Sequence, residues 1–597
     1  MVHGVQSPSA DTATVPQTSP YGVRRWIFLS LVLVTIGVLS WVMTGILGSG
    51  GWTWPEIGMM VAFLATLPWL AIGFWNAMIG LVILKAARDP AVYVTPAWAD
   101  ARGSGAVTQK TALAMTVRHE AIGPVIDRLD QLYRDLSLRP EGPLFSVHLL
   151  SDSTDPEFAK AEEQAVADWR ARLGPALATR VHYRRREQNT GFKAGNLAEF
   201  ADRMGEEVDF FLPLDADSAM SADAVLRLVR VMEAHPEIGL LQGLVVGAPT
   251  ASLFARMFQF GMRQGMRSYT TGSAWWQGDC GPFWGHNAVV RIKPFRDHCR
   301  LPVLPGSSAL SGPILSHDQV EAVLLRRAGY EVRVVAQEEE SYEENPPSLL
   351  DFIKRDLRWC HGNMQYFKLL GMPKLHLLGR VQLALAVLMY AGAPAWMAFI
   401  LFGAAQAFHP AGFDTYSIDG LWLFLAIMVM TLFPKIMGVA DILSSRLKRR
   451  AYGGSIRVTI GAMVEFVFSM LLAPVVSFAV TVFLGKLVLG RSLRWSAQLR
   501  DAHGVAWSEA AARLWPQTLF GVLLAATLAL QAPHVLPWAA PVLLAFLLCI
   551  PVTVITASVA LGRQAQQVGL CAIPEDRMKE IELADDLQVL EEIEATS

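Results

Sequence analysis

Charge is scarce in this chain: Asp, Glu, Lys and Arg make up only 17% of its 597 residues, too few to cover a wholly soluble protein of this length. Cysteine is scarcer. Cys280, Cys299, Cys360, Cys549 and Cys571 are scattered with no C-x-x-C spacing, which argues against a zinc site and a disulfide framework and leaves reduced thiols as the expectation. A net charge of −2 says little about partners, and no nucleic acid is expected among them. The start offers no cleavable signal peptide; residues 1–24 are polar and Ser/Thr/Pro-rich, which predicts a disordered cytoplasmic tail.

Apolar residues fill the space that charge leaves. They reach 52%, with 18 Trp and a mean hydropathy of +0.33, and they come in blocks. Arg24 and Arg25 precede a block from Trp26 to Leu47, and a second runs from about Ile57 to Leu84 before Lys85 and Arg88. Each can cross a hydrocarbon core of roughly 30 Å. Basic residues at both outer ends of this 25–85 hairpin place those ends in the cytoplasm, so the polar stretch from 86 to about 372 is expected to be cytosolic.

A second pair, Val381–Phe402 and Leu421–Gly438, returns inward at Arg446-Leu447-Lys448-Arg449-Arg450. The block from Ile456 to Lys486 is long for one crossing and short for two. Because the following segment, 487–516, is basic, an even number of crossings is needed, and the block reads as a tight or re-entrant pair broken near Pro474. Two last spans, 517–531 and 537–560, lead to an acidic cytoplasmic tail, 562–597. About eight membrane segments result.

The cytosolic segment alternates β-rich apolar runs with amphipathic stretches, as a mostly parallel α/β sheet with helices on both faces requires. Expected strands are Thr111–Val117, Leu144–Leu150, Arg180–Tyr183, Phe210–Leu214, Gly239–Val246 and Val332–Val335. Ligands of such sheets sit beyond the carboxyl ends of the strands. Three of those ends carry polar clusters: Arg118-His119-Glu120, then Ser151 to Asp155, then Asp215-Ala216-Asp217. Carboxylates two apart at a strand end share a face and can grip a hard divalent cation, whereas Asp155 reads as a helix cap. The loop Asn189–Asn196 combines glycines with Lys193, which suits a phosphate. Further on come Gly281–Ala288, Ser316-His317-Asp318-Gln319, and Arg355-Asp356-Leu357-Arg358-Trp359-Cys360. The last lies on an expected amphipathic interfacial helix within 351–375.

In this order the motifs resemble the processive family-2 glycosyltransferases, the group of cellulose, hyaluronan and chitin synthases, over about 110–365 and in the membrane layout. The resemblance implies a GT-A catalytic domain, 86–350, inserted in a polytopic α-helical membrane domain. It implies Asp152 at the uracil of a UDP-sugar, Lys193 with Gly195 and Asn196 in a Lys-Ala-Gly loop, and Asp215 and Asp217 on Mg²⁺ or Mn²⁺. It further implies Asp318 as general base, Arg358 on the diphosphate and Trp359 under the acceptor sugar. Thr116, Arg118 and Glu120 stand in the donor-binding segment, where Thr-Val-Arg-His-Glu replaces the family's Pro-x-Tyr-Asn-Glu, and Arg355 replaces its Gln. The loop Gly490–Trp507, with Arg494, Trp495, Gln498 and Arg500, falls where relatives carry a gating loop.

Arg355–Asn363, the Ser-His-Asp form at 316–318 and Phe283–Asn287 resemble the branch that builds osmoregulated periplasmic glucans. The short acidic tail leaves no room for the cyclic-di-GMP-binding module of bacterial cellulose synthases. That branch implies UDP-glucose, a growing and mainly β-1,2-linked glucan acceptor, and the inner membrane of a Gram-negative bacterium. Acyl carrier protein and periplasmic glucan-modifying proteins are implied as partners. Rival expectations are a cellulose-like β-1,4-glucan synthase, a non-processive polyprenyl-phosphate sugar transferase, and a transporter or sensor that binds a nucleotide sugar without turning it over.

Overall fold

The structure, a computed structural model, describes residues 21–103, 105–409, 418–491 and 502–577. Eight strands form one curled mixed sheet: β1 Thr111–Val117, β2 Phe145–Ser151, β3 Val181–Arg185, β4 Phe210–Asp215, β5 Ala219–Met220, β6 Ile238–Gly247, β7 Ala288–Arg291 and β8 Glu331–Glu343. Their order is β3-β2-β1-β4-β7-β6-β8-β5. The first four run parallel, β7 enters antiparallel between β4 and β6, and β6 pairs parallel with β8. This is a GT-A-like sheet. The six expected strands are all present, but β5 and β7 were not foreseen, and β8 runs on well past Val335 to Glu343. Four-residue β7 follows a Gly-rich turn, where a short apolar run gives no periodicity to read.

Alternation along β1 sends Leu113, Met115 and Val117 into a core shared with the helices Ile122–Ser137 and Ala222–Ala234. Ala112 and Ala114 face the opposite core, shared with Phe192–Met204 and Asp318–Arg327, as a period of two demands. The Ile122–Ser137 helix buries Val125, Ile126, Leu129, Leu132, Tyr133 and Leu136, one stripe at helical spacing.

Among the described residues six helices are long and apolar enough to cross a membrane, and a seventh span follows if the pair Pro533–Leu547 and Cys549–Thr556, bent by 55°, counts as one. The expected eight counted 456–486 twice. There the structure has one unbroken 34-residue helix, Ser455–Val488, that continues through Pro474. Proline forfeits one hydrogen bond, which apolar helices tolerate; Pro68, Pro394, Pro434 and Pro516 also lie inside helices. This helix touches the catalytic segment at Phe254 and Phe260, and also the Leu349–Met364 helix, a neighbouring apolar helix and the C-terminal segment. Cys571 Sγ reaches Gly461 O at 3.6 Å beside Phe260, Phe468 packs edge-on against Phe254 at 5.4 Å, and Phe483 meets His361 at 6.0 Å. Lys435 pairs with buried Glu465 and reaches Ser469 at 2.5 Å.

The first membrane hairpin is locked to the catalytic segment by small residues. A Cβ on Gly80 would sit 1.8 Å from Ser268 O, and one on Gly272 would sit 1.9 Å from Asn76 O, so the helices Trp54–Ala86 and Leu253–Gln277 touch backbone to backbone. Trp276 Nε1 donates to Asn76 Oδ1 at 2.9 Å in the same seam.

The helix expected at the membrane interface is Leu349–Met364. Its Asp356 accepts from Tyr390 Oη at 3.1 Å, and burial pushes its carboxyl up to about 6. A raised carboxyl favours the folded state while protonated, so the associated stability is full below about pH 4 and is lost as pH rises through 6, roughly 2–3 kcal/mol in all. Asp356→Asn is therefore expected to raise the thermal midpoint of the detergent-solubilised protein at pH 8, with the gain shrinking below pH 6. An equal shift at both pH values would show that burial of the charge is not the cause.

Candidate active site

Strand register builds the site's floor. Thr116 lies directly opposite Asp215 across β1 and β4, and its Oγ1 donates to Leu214 O at 3.3 Å, 3.4 Å from Asp215 Oδ1. Val117 pairs with Ser151, so the three polar clusters expected at strand ends do converge. Residues 118–120 turn over the end of β1 with His119 at φ +55. The His119 N–H donates to Ser153 Oγ at 2.8 Å, and its Nε2 accepts from the N–H groups of Thr154 and Asp155 at 3.0 and 3.2 Å. Asp155 caps the next helix, accepting from Glu157 N at 2.9 Å.

Asp152 is 4% exposed. Its carboxylate accepts both arms of the Arg186 guanidinium at 2.8 and 2.7 Å and Asn196 Nδ2 at 2.8 Å. Arg186 also donates to Thr190 O and Phe192 O. It thereby ties Asp152 to the turn where Gly191, at φ +72, opens the Phe192–Met204 helix. Lys193 sits in the first turn of that helix, pairs with Asp215, and donates to Gly285 O at 2.9 Å.

Gly285 lies at the centre of the constellation. At φ +86, it would place a Cβ 3.5 Å from Asp318 Cβ, 3.7 Å from Lys193 Nζ and 3.8 Å from His317 Cε1. The absent side chain leaves a hollow bounded by Asp318 and His317, consecutive in one segment, and by the Lys193 ammonium from another. Asp318 opens the Asp318–Arg327 helix, and His317 precedes it without a side-chain cap. The loop ahead of it is held by the end of the Leu349–Met364 helix. Tyr366 Oη donates to Ser316 O at 2.9 Å, Gln365 Oε1 accepts from Leu315 N at 2.8 Å, and Gly362 leaves room for Ser316 Oγ.

Several residues that complete the site were not visible in spacing. Arg128 donates to Ala216 O at 2.7 Å, the peptide oxygen between the two expected metal ligands, and pairs with Glu344. His286 lies 3.3 Å from Glu343 and from Ser218 Oγ. Burial alone would push the imidazole down, but Glu343 and Asp215 hold it up at about 9. Arg355, 7% exposed, faces Glu343 and Asp217. Its guanidinium lies 4.6 Å from the Trp359 ring, so one face of the indole expected under a sugar is covered by this cation. Arg358 and Trp359 follow on the same helix, with Trp359 46% exposed. Arg494, Trp495, Gln498 and Arg500 lie outside the described residues.

Among the described residues no group of three or more His, Cys, Asp or Glu is placed to hold a metal. Asp215 ends β4 and Asp217 lies in the turn beyond it, so the two carboxylates expected on one strand face come instead from a strand end and a turn, with the Lys193 ammonium lying on Asp215 where a cation would be drawn. That donor set fits Mg²⁺ or Mn²⁺ sharing its shell with phosphate oxygens and water.

Residues 210–436 match the family described as Glycosyl transferase family group 2. A glucans biosynthesis glucosyltransferase H of Pseudomonas putida is 36% identical over 93% of this chain and 68% of its own length. One from Pseudomonas paraeruginosa is 34% identical over 94% of this chain and 70% of its own. Among solved structures, a mannosyltransferase of Pyrobaculum calidifontis in complex with GDP-Man and Mn2+ aligns with a TM-score of 0.35 and 17% identity, covering 60% of this chain and 99% of that one. The length and identity of the Pseudomonas matches, over a GT-A-like sheet with its attached apolar helices, place this chain in the glucans biosynthesis glucosyltransferase H family of the family-2 glycosyltransferases.

Proposed function

We propose that this glucosyltransferase of glucan synthesis takes glucose from UDP-glucose and adds it, with inversion, to a growing β-glucan whose backbone is mainly β-1,2-linked. It works at the cytoplasmic face of a bacterial inner membrane and passes the product outward through its apolar helices. The reading is carried by the hollow at Gly285, where Lys193, His317 and Asp318 meet beside Asp215.

In this mechanism the Asp318 carboxylate takes the proton of an acceptor hydroxyl as its oxygen attacks the anomeric carbon of the donor. The bond from that carbon to the diphosphate oxygen breaks, and UDP departs with the electron pair. Lys193 and Arg358 hold the diphosphate charge by cationic hydrogen bonds. A divalent ion on Asp215 and Asp217, when bound, adds further neutralisation of that charge. The Asp152–Arg186 pair reads the uracil as one unit, with Thr116, Arg118 and Glu120 lining the donor's approach, and Trp359 offers its free face to the acceptor. Acyl carrier protein and periplasmic glucan-modifying proteins are the partners this reading invites.

The test is UDP release by the purified protein in detergent with UDP-glucose and Mg²⁺, followed by linkage analysis of the product. Release with β-1,2-linked glucan is the expected result. A β-1,4-linked product would move the chain to the cellulose-like branch, and a lipid-linked monosaccharide would make it a non-processive transferase.

A further inference from the structure

Ser316-His317-Asp318 sets an imidazole immediately before the proposed base. The structure fixes how that imidazole is held. His317 is 7% exposed and Glu321, one turn along the same helix, is 1% exposed. His317 Nδ1 donates to Glu321 Oε2 at 2.8 Å, and with that nitrogen engaged, Nε2 is the ring's remaining polar atom. Its Cε1, the carbon between the two ring nitrogens, faces the hollow at Gly285 together with Lys193 Nζ and Asp318. With the Nδ1 proton spent on the carboxylate, Nε2 of the neutral ring carries the lone pair and is an acceptor.

We propose that His317, oriented by Glu321, reads the sugar of the nucleotide donor: its Nε2 accepts from a ring hydroxyl of the hexose as it lies between Asp318 and the diphosphate. The inference rests on the donor reading above and assigns two residues which that reading leaves without a role. His317 touches the sugar; Glu321 is a positioning residue that acts through it. The diphosphate and the base are held by other groups, so the pair governs which sugar is accepted rather than whether UDP binds. A site built to hydrogen-bond a hydroxyl discriminates against donors that present it elsewhere.

The experiment uses the full-length protein in detergent and four probes: UDP, UDP-glucose, UDP-galactose and UDP-xylose. Loss of a hydrogen bond that leaves a buried group unpaired corresponds to about a tenfold to hundredfold change. His317→Ala and Glu321→Gln are therefore expected to lower kcat/KM for UDP-glucose by about that factor and to narrow its preference over UDP-galactose and UDP-xylose. The inhibition constant for UDP should stay within about twofold. His317→Gln, whose amide oxygen keeps an acceptor, should fall between. Parallel loss of UDP and UDP-glucose affinity, or an unchanged sugar preference, would overturn the role. If His317→Ala does not fold, as judged without ligand by loss of its cooperative melting transition and its monodisperse elution, Glu321→Gln carries the test alone, since it removes the orienting charge and keeps the side chain's shape. A wild-type protein that binds UDP but no UDP-hexose would instead overturn the donor reading itself.

Discussion

Asp318→Asn is expected to lower UDP release from UDP-glucose by at least about a hundredfold while leaving UDP binding within about twofold. General-base catalysis is worth roughly 10²–10⁴ in rate, and the amide keeps the size of the carboxylate but cannot take the proton. The position makes the prediction strict. Asp318 is the first residue of its helix, its loop is pinned by Tyr366 and Gln365, and its Cβ lies near the Gly285 hollow, so the variant has little scope to shift and recover. Stopped assays of UDP formation, with UDP affinity measured by inhibition in parallel, separate the two quantities. Wild-type turnover in the variant would move the base elsewhere.

Gly285→Ala should be nearly as severe for a different reason. The new methyl would lie in ordinary van der Waals contact with Asp318, Lys193 and His317, filling the space where the reacting sugar is proposed to lie, and the residue would also carry the left-handed strain of φ +86, roughly 1–2 kcal/mol. Gly329→Ala separates the effects: it lies at φ +97 with nothing within 4 Å of its Cβ. That variant should lose comparable stability and keep its turnover, whereas Gly285→Ala should lose about a hundredfold in kcat/KM. Equal activity in the two would mean that the hollow does not receive substrate.

The sheet was legible where an apolar run ended in a carboxylate or hydroxyl. β1 matches the expected strand residue for residue, and Asp215 falls at the end of β4 as the alternation implied. The lesson lies in the partners. Arg186 sits 34 residues from Asp152, and Arg128 sits 88 from the Ala216 carbonyl it holds. Such pairs are made by topology and leave no mark in local spacing. Glu343 was out of reach for a related reason: its strand runs through Gln337, Glu338, Glu339 and Glu340, which breaks any apolar alternation. The Ser455–Val488 helix misled in the opposite sense, because Pro474 reads as a break in sequence and is absorbed within a continuous helix.

The backbone contacts at Gly80 and Gly272 set how closely the first membrane hairpin and the catalytic segment approach. With Ser268 O and Asn76 O each under 2 Å from where a methyl would be, nothing larger than hydrogen fits at either position, so a side chain added there must wedge the two helices apart. The joint is made of nearness alone, and one methyl is to it what grit is to a lapped seal.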